Sequence, residues 1–307
     1  MEKIKITFLR YGLFRKKIVN SQKILNMGEL VYIFVLAIVV TIHEFGHYFM
    51  ARWMGVRVKK MQIFFFPFYS FKPSPPQQLR GKTSWRDTTY SFGWLPFGGY
   101  TSFENRPTGV QFTDQYGQRH TMDYDTYLRL NGQSASASRD LYYNTKPAWK
   151  RFLISIAGVL FNLLTAFLIY LVFVLVSDAG SSSGFWQSLS ATMEFICFTV
   201  GNTLSNILSM LGIHLFEPVI STDNYDIILS FWTTAEAHPL VKYIADLSCV
   251  LALINILPIP PLDGGQATFE VYEMITGKEP SEGFKRGAYI VGSIIFILVF
   301  WILPMIH

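Results

Sequence analysis

The chain has 307 residues, of which 50% are hydrophobic and only 15% are charged. Soluble domains carry about 25% charged residues, so the composition argues against a soluble globular protein. The net charge of +5 accompanies no nucleic-acid-binding motif, and we predict no nucleic-acid partner.

Apolar segments along the chain predict four membrane-spanning helices. A helix needs about 20 apolar residues to cross a bilayer. Residues 30–52, 152–176, 241–262 and 287–306 are the four candidates, and the second has no charged residue in 25 positions. We predict an all-α polytopic membrane protein, with a basic tail (1–29) preceding a single domain (30–306).

Basic residues predict which side of the membrane each loop faces. Fifteen of the 26 Lys and Arg residues lie between Arg52 and Arg151, whereas residues 178–240 hold six acids and no Lys or Arg. Because cytoplasmic loops collect Lys and Arg, the linker over residues 101–150 is expected in the cytoplasm and the acidic loop 178–240 outside. The basic tail opposes this orientation, since four spans leave both termini outside.

Two segments between the spans predict further elements. Residues 58–71 are rich in Phe, and residues 85–100 partly alternate between apolar and polar before Gly98 and Gly99. Together they predict a membrane-associated β-hairpin within residues 58–100. Before the third span, the large apolar residues of 185–216 recur at helical spacing, from Leu189 and Met193 onward, which predicts an amphipathic helix.

The first candidate for chemistry is His43-Glu44-Phe45-Gly46-His47, at the end of the first span. Residues four apart lie on one face of a helix, so both imidazoles can bind one metal ion. Glu44 follows His43 directly and can act as general base toward a water at that metal. The alternative is a polar pair satisfied inside a helix bundle without metal.

A third metal ligand has to come from elsewhere in the chain, because catalytic zinc usually has three protein ligands. Asp263 follows the Pro-rich end of the third span, and the first and third spans are predicted to run in the same direction. Asp263 then reaches the depth of His47, provided that residues 185–216 do not span. Asp-Gly after prolines also suits a simple turn.

Other interpretations stay open on these residues alone. A membrane-anchored zinc peptidase acting on soluble or interfacial peptides could take its third ligand from Glu270 or Glu273. A metal-free protein of this sequence could bind membrane helices as a scaffold. A transporter would also carry buried ionisable groups, but the chain has no evident internal repeat.

The motifs resemble those of the site-2 protease family of zinc intramembrane metalloproteases. The chain has HExxH on one span and Asn255-x-x-Pro258-x-Pro-x-Leu-Asp263-Gly on another. Residues 94–100 and 144–151, together with the Gly158-x-x-x-Asn162 element, also resemble the bacterial branch that cleaves anti-sigma factors. That branch usually has PDZ domains between the second and third spans, for which this interval is short.

The resemblance implies a role for each matching residue. His43, His47 and Asp263 would bind Zn²⁺, Glu44 would be the catalytic base, and Asn162, Asn255 and Pro258 would bind substrate. The expected partners are the lipid bilayer and a single-pass membrane-protein substrate. The expected location is the bacterial inner membrane, with the active site toward the cytoplasm and the oligomeric state open.

Overall fold

A computed structural model describes residues 27–73, 85–114, 116–131, 141–176, 184–210 and 238–299. Residues 1–26 of the predicted basic tail lie outside this part. The described helices are α1 (Met27–Trp53), α2 (Tyr124–Leu130), α3 (Ala148–Val176), α4 (Phe185–Met210), α5 (Pro239–Ile256), α6 (Asp263–Thr276) and α7 (Glu282–Ile297). The strands are β1 (Val58–Phe71), β2 (Thr89–Phe103), β3 (Gly109–Thr113) and β4 (Arg119–Asp123).

Three of the described helices are long and apolar enough to cross a membrane: α1 from Leu30, α3 and α5. They confirm the first three predicted spans, although the third ends at Ile256 rather than at residue 262, and they make the chain an integral membrane protein. The fourth predicted span, 287–306, corresponds to α7 only in part, because α7 ends at Ile297 and residues 300–307 lie outside the described part. The count of four spans is therefore not confirmed.

The three spans pack so that neighbours run in opposite directions. His47, near the end of α1, contacts the backbone of Ile154, near the start of α3. Tyr170, late in α3, donates a hydrogen bond to Asp246 in the first half of α5 at 2.6 Å. The first and third spans consequently run in the same direction and end on the same side, as the sequence predicted.

Exposed tryptophans mark the membrane surface on that side. Trp53 closes α1 and is 72% exposed, and Trp149 lies in the first turn of α3 and is 50% exposed. Tryptophan is enriched where the bilayer meets water. The end of α1 and the start of α3 therefore lie at one membrane surface.

Helix α4 confirms the predicted helix between the second and third spans. The residues turned into the bundle are small or hydroxyl-bearing apart from one ring: Ser188, Ala191, Thr192 and Phe195. Of the large apolar residues at helical spacing, Met193 is 51% exposed, whereas Ile196 and Val200 pack against the buried cluster. Helices associating in lipid bring small residues to the contact, because large apolar side chains are equally stable against lipid.

Strands β1 and β2 form the predicted hairpin. Each strand is so long that its two halves pair with different segments of the other strand. Residues 58–63 of β1 pair with residues 99–103 of β2 on one side and face residues 89–92 on the other. Residues 69–71 pair with 90–92. Among the described residues no strand pairs with the outer side of 99–103, so that segment is an edge of the sheet.

The far end of this hairpin is an exposed aromatic surface. Phe66, Phe68 and Trp94 are 60%, 73% and 66% exposed, and the rings of Phe66 and Trp94 stack at 5.8 Å. Phe64 and Phe66 adopt positive φ angles of 66° and 55°, which are uncommon for bulky residues and bend the strand at this point. The bend presents the rings of Phe66, Phe68 and Trp94 outward.

Residues 101–150 contain more structure than the predicted linker. Strands β3 and β4 pair antiparallel, and α2 follows β4 directly. The Asp114 side chain closes the turn between the strands by accepting hydrogen bonds from the backbone N–H groups of Tyr116 and Gln118. This small unit leads into α3.

Candidate active site

Two side chains from the first span and one from the helix that follows the third span converge on one point. His43 Nε2 and His47 Nε2 lie 2.9 Å and 3.1 Å from Asp263 Oδ2. The two Nε2 atoms are 3.3 Å apart. Among the described residues this is the group of His, Cys, Asp and Glu side chains that could hold a metal ion. The structure thus brings together the three predicted ligands from positions 43, 47 and 263.

Hydrogen bonds behind the imidazoles fix which ring nitrogens face this point. His47 Nδ1 lies 2.7 Å from the carbonyl oxygen of Ile154, so Nδ1 carries the proton and donates it. His43 Nδ1 lies 3.3 Å from the side-chain amide of Asn162. Asn162 is fully buried, and its Oδ1 has no hydrogen-bond partner. Amide O and N are interchangeable by a flip, and a flipped Asn162 would accept from His43 Nδ1–H.

With Asn162 in this flipped orientation, both Nδ1 atoms carry protons and both Nε2 atoms present bare lone pairs. Two imidazole lone pairs and a carboxylate oxygen then meet at about 3 Å, an arrangement of three acceptors that requires a cation. Zinc–nitrogen distances of about 2.0–2.1 Å in a tetrahedron imply ligand atoms about 3.3 Å apart. The observed separations fit zinc closely. A ring N–H donated to a backbone carbonyl, as from His47 Nδ1 to Ile154, is usual for zinc-bound histidines.

The site lies below the membrane surface marked by Trp53. Helix α1 rises about 1.5 Å per residue, so His47 and His43 lie about 9 Å and about 15 Å before Trp53 along the helix. Both imidazoles are buried, and Asp263 is only 23% exposed. The cluster is therefore enclosed within the helical bundle, well before the end of α1.

Gly158 makes room for the imidazoles. It lies on α3, and a Cβ there would come within 2.7 Å of His43 Nε2 and closer still to His47 Nε2. No side chain fits this position unless the histidines move. The GxxxN element thus has a physical meaning here, since Gly158 clears the space that His43 and His47 occupy and Asn162 contacts His43.

Asp263 is the first residue of α6, where a negative charge is favoured by the helix dipole. The next residue, Gly264, packs so tightly on the end of α5 that a Cβ would overlap the carbonyl groups of Ile256 and Leu257. The Pro-rich turn and Gly264 together fold α6 back against α5. This fold points the Asp263 carboxylate at the histidines.

Glu44 is buried between α1 and the edge segment of β2. It is 5% exposed, and its Oε2 accepts a hydrogen bond from the Thr101 hydroxyl at 2.7 Å. Its other oxygen, Oε1, lies 3.2 Å from where a Cβ on Gly99 would stand. The sequence indicated Glu44 but not Thr101. The only signal for Thr101 in the sequence was its position two residues after Gly99, which places both residues on the same face of the strand.

Glu270 and Glu273, the alternative third ligands, are engaged elsewhere. Glu270 accepts hydrogen bonds from Tyr143 at 3.0 Å and from Gln266 at 2.7 Å. Burial raises the pKa of Glu270 above the usual range for a carboxyl group. Glu273 forms an ion pair with Arg151, the basic residue at the entry to α3. Both acids therefore join α6 to the residues at the entry to α3.

The residues predicted to bind substrate differ in their surroundings. The Asn255 amide donates to the Leu251 carbonyl oxygen at 3.0 Å, within its own helix, and Pro258 is exposed on the turn after that helix. Asn162 is wholly enclosed. Substrate binding by all three stays a prediction.

The fold and the site define a class: a helical membrane protein with the zinc centre of a metallopeptidase. The family model of peptidase family M50 matches residues 31–299. The chain belongs to peptidase family M50, which confirms the predicted membership in the site-2 protease family.

Curated relatives agree with this assignment. Metalloprotease MmpA of Caulobacter vibrioides is 29% identical over 49% of this chain and 34% of its own length. A protein of Rickettsia conorii, provisionally named a zinc metalloprotease, is 22% identical over 87% of this chain and 94% of its own length. A Brucella suis protein with the same kind of name is 28% identical over 50% of this chain and 35% of its own length. The chain thus spans about a third of two of these relatives.

Proposed function

We propose that the chain is a zinc-dependent intramembrane endopeptidase that hydrolyses peptide bonds in or near the transmembrane helices of single-pass membrane proteins. The observation that carries the proposal is the cluster of His43, His47 and Asp263, beside a buried Glu44, at membrane depth. Ionisable groups inside a span are costly and usually functional. A scaffold that only binds helices has no use for Glu44.

The basic residues near one end of the bundle support an assignment of the active site to the cytoplasmic side. Exposed tryptophans next to basic residues, Arg52-Trp53 and Trp149-Lys150, lie at the end of the bundle that is nearer the zinc ligands. Cytoplasmic loops are the Lys- and Arg-rich ones. We therefore assign the active site to the cytoplasmic half of a bacterial inner membrane. The lipid bilayer is the expected partner of the spans.

His43, His47 and Asp263 would hold the zinc ion, with Ile154 and Asn162 fixing the imidazole orientations. Zinc bound there would activate a water molecule and polarise the scissile carbonyl group. Glu44 would accept the proton of the attacking water and deliver it to the leaving amide nitrogen. Burial keeps bulk water from Glu44, so its carboxylate acts only on what enters the site.

A helical substrate must be unwound before it can be cleaved, because its peptide bonds are hydrogen-bonded within the helix. The edge segment 99–103 of β2 passes directly beside Glu44. An unwound stretch that added to this edge as a strand would regain its backbone hydrogen bonds next to the base. The sheet would thereby offset part of the cost of unwinding.

The test is cleavage by the purified protein in lipid vesicles, using single-pass fusion proteins that differ only in their transmembrane segment. A segment with a helix-breaking Gly-Pro pair should be cut within or beside the membrane, and a poly-Leu segment of equal length should resist. A zinc chelator should stop the reaction. Cleavage of soluble peptides alone would favour an anchored peptidase, and zinc binding without cleavage would favour a scaffold.

A further inference from the structure

We propose that Thr101 is a positioning residue for Glu44 and couples that base to the strand on which substrate would lie. The inference rests on the proposed peptidase function, which it deepens by joining the substrate-binding edge to the catalytic group. Thr101 itself is two residues from Gly99 on the edge segment of β2.

Contacts of the Thr101 hydroxyl select one oxygen of Glu44. The hydroxyl lies 2.7 Å from Oε2 and 3.3 Å from the backbone oxygen of the same residue. Oε2 is the stronger acceptor, being charged and closer. With Oε2 occupied by this donor, Oε1 is the oxygen left to accept a proton.

Packing from the same strand limits where Oε1 can be. Gly99 and Thr101 lie on one face of β2, because side chains alternate along a strand. A Cβ at Gly99 would stand 3.0 Å from Glu44 Cγ and 3.2 Å from Oε1, so the carboxylate rests against the bare backbone of this residue. The strand thus holds the base by a hydrogen bond on one side and by contact on the other.

This arrangement ties substrate docking to catalysis. A substrate strand that pairs with residues 99–103 would fix the backbone of that segment and so the position of the Thr101 hydroxyl. Glu44 would then be held in one orientation when substrate is present. The expected consequence of losing the hydroxyl is a slower chemical step with substrate binding unchanged.

The experiment compares Thr101→Val, which has nearly the same shape without the hydroxyl, with Thr101→Ser, which keeps it. Thr101→Val should lower kcat by about ten- to a hundredfold, the usual effect of a lost hydrogen bond to a charged group, with KM and zinc content unchanged. Thr101→Ser should restore most of kcat. Thr113→Val, the same change at an exposed position of β3 outside the edge segment, is the matched control and should behave as wild type.

A measurement without substrate separates this proposal from the peptidase function. Thermal unfolding of Thr101→Val is compared in the wild-type and in the Glu44→Leu background. A loss of stability in the first background that disappears in the second supports the contact, whether or not cleavage is found. Equal effects in both backgrounds, or a wild-type kcat for Thr101→Val alongside an active control, would overturn the proposal.

Discussion

Glu44→Gln should abolish peptide cleavage and leave the zinc content unchanged. The amide retains the shape of the carboxylate, and its oxygen can still accept the Thr101 hydrogen bond seen at 2.7 Å. It cannot take a proton from the attacking water. Loss of a general base costs about 10²- to 10⁴-fold in rate. The measurement is single-turnover cleavage of the Gly-Pro substrate, with zinc measured on the same preparation.

Glu270→Gln is a suitable control for this variant. Glu270 is also a buried glutamate, 2% exposed, and lies on α6 outside the ligand cluster. Its Gln variant should cleave at the wild-type rate. Appreciable turnover by Glu44→Gln, beside a zinc content equal to wild type, would mean that another group is the base.

Gly158→Ala should remove most of the zinc affinity through a single methyl group. The new Cβ would overlap the Nε2 atoms of His43 and His47 and force both rings away from Asp263. Changes that misorient zinc ligands cost about 10- to 100-fold in affinity, and this one displaces two ligands. The affinity is measured by competition with a zinc-chelating dye in detergent solution.

Gly287→Ala supplies the comparison for the Gly158 variant. Gly287 lies in α7, and a Cβ added there would have no atom within 4 Å, so the new methyl group meets open space. Ala in place of Gly within a helix normally stabilises it by up to about 1 kcal/mol. Zinc affinity should stay at the wild-type value there. Tight zinc binding by Gly158→Ala would contradict the site geometry.

The zinc site was predictable from the sequence because its ligands depend on residue spacing within one helix and on the direction of the spans. HExxH places His43 and His47 on one helix face, whatever surrounds them. Asp263 followed from counting spans, since the first and third end on the same side. The outer contacts were not predictable in the same way. The Ile154 carbonyl contacts His47 because two helices pack at a given depth, and no spacing in the sequence encodes that depth.

The hairpin and α4 mark the limit of what sequence patterns predict. The aromatic-rich segments predicted paired strands. They did not predict that residues 58–63 would pair with 89–92 on one side and with 99–103 on the other, which leaves 99–103 as an edge beside Glu44. Between β3 and β4, Asp114 and Gly117 are typical turn residues, and they were the local signal for a hairpin within the predicted linker. For α4, periodicity located the helix, whereas the residues that it buries (Ser188, Ala191, Thr192 and Phe195) depend on how it packs against the other helices.

The most direct test of the account is the zinc content of the purified wild-type protein and of Asp263→Ala, with Glu273→Gln as control. The wild type and Glu273→Gln should each hold about one zinc ion per chain, and Asp263→Ala should lose most of it, because three protein ligands are the usual requirement of a catalytic zinc. Full zinc in Asp263→Ala, or a zinc-free wild type after reconstitution, would contradict the three-ligand site.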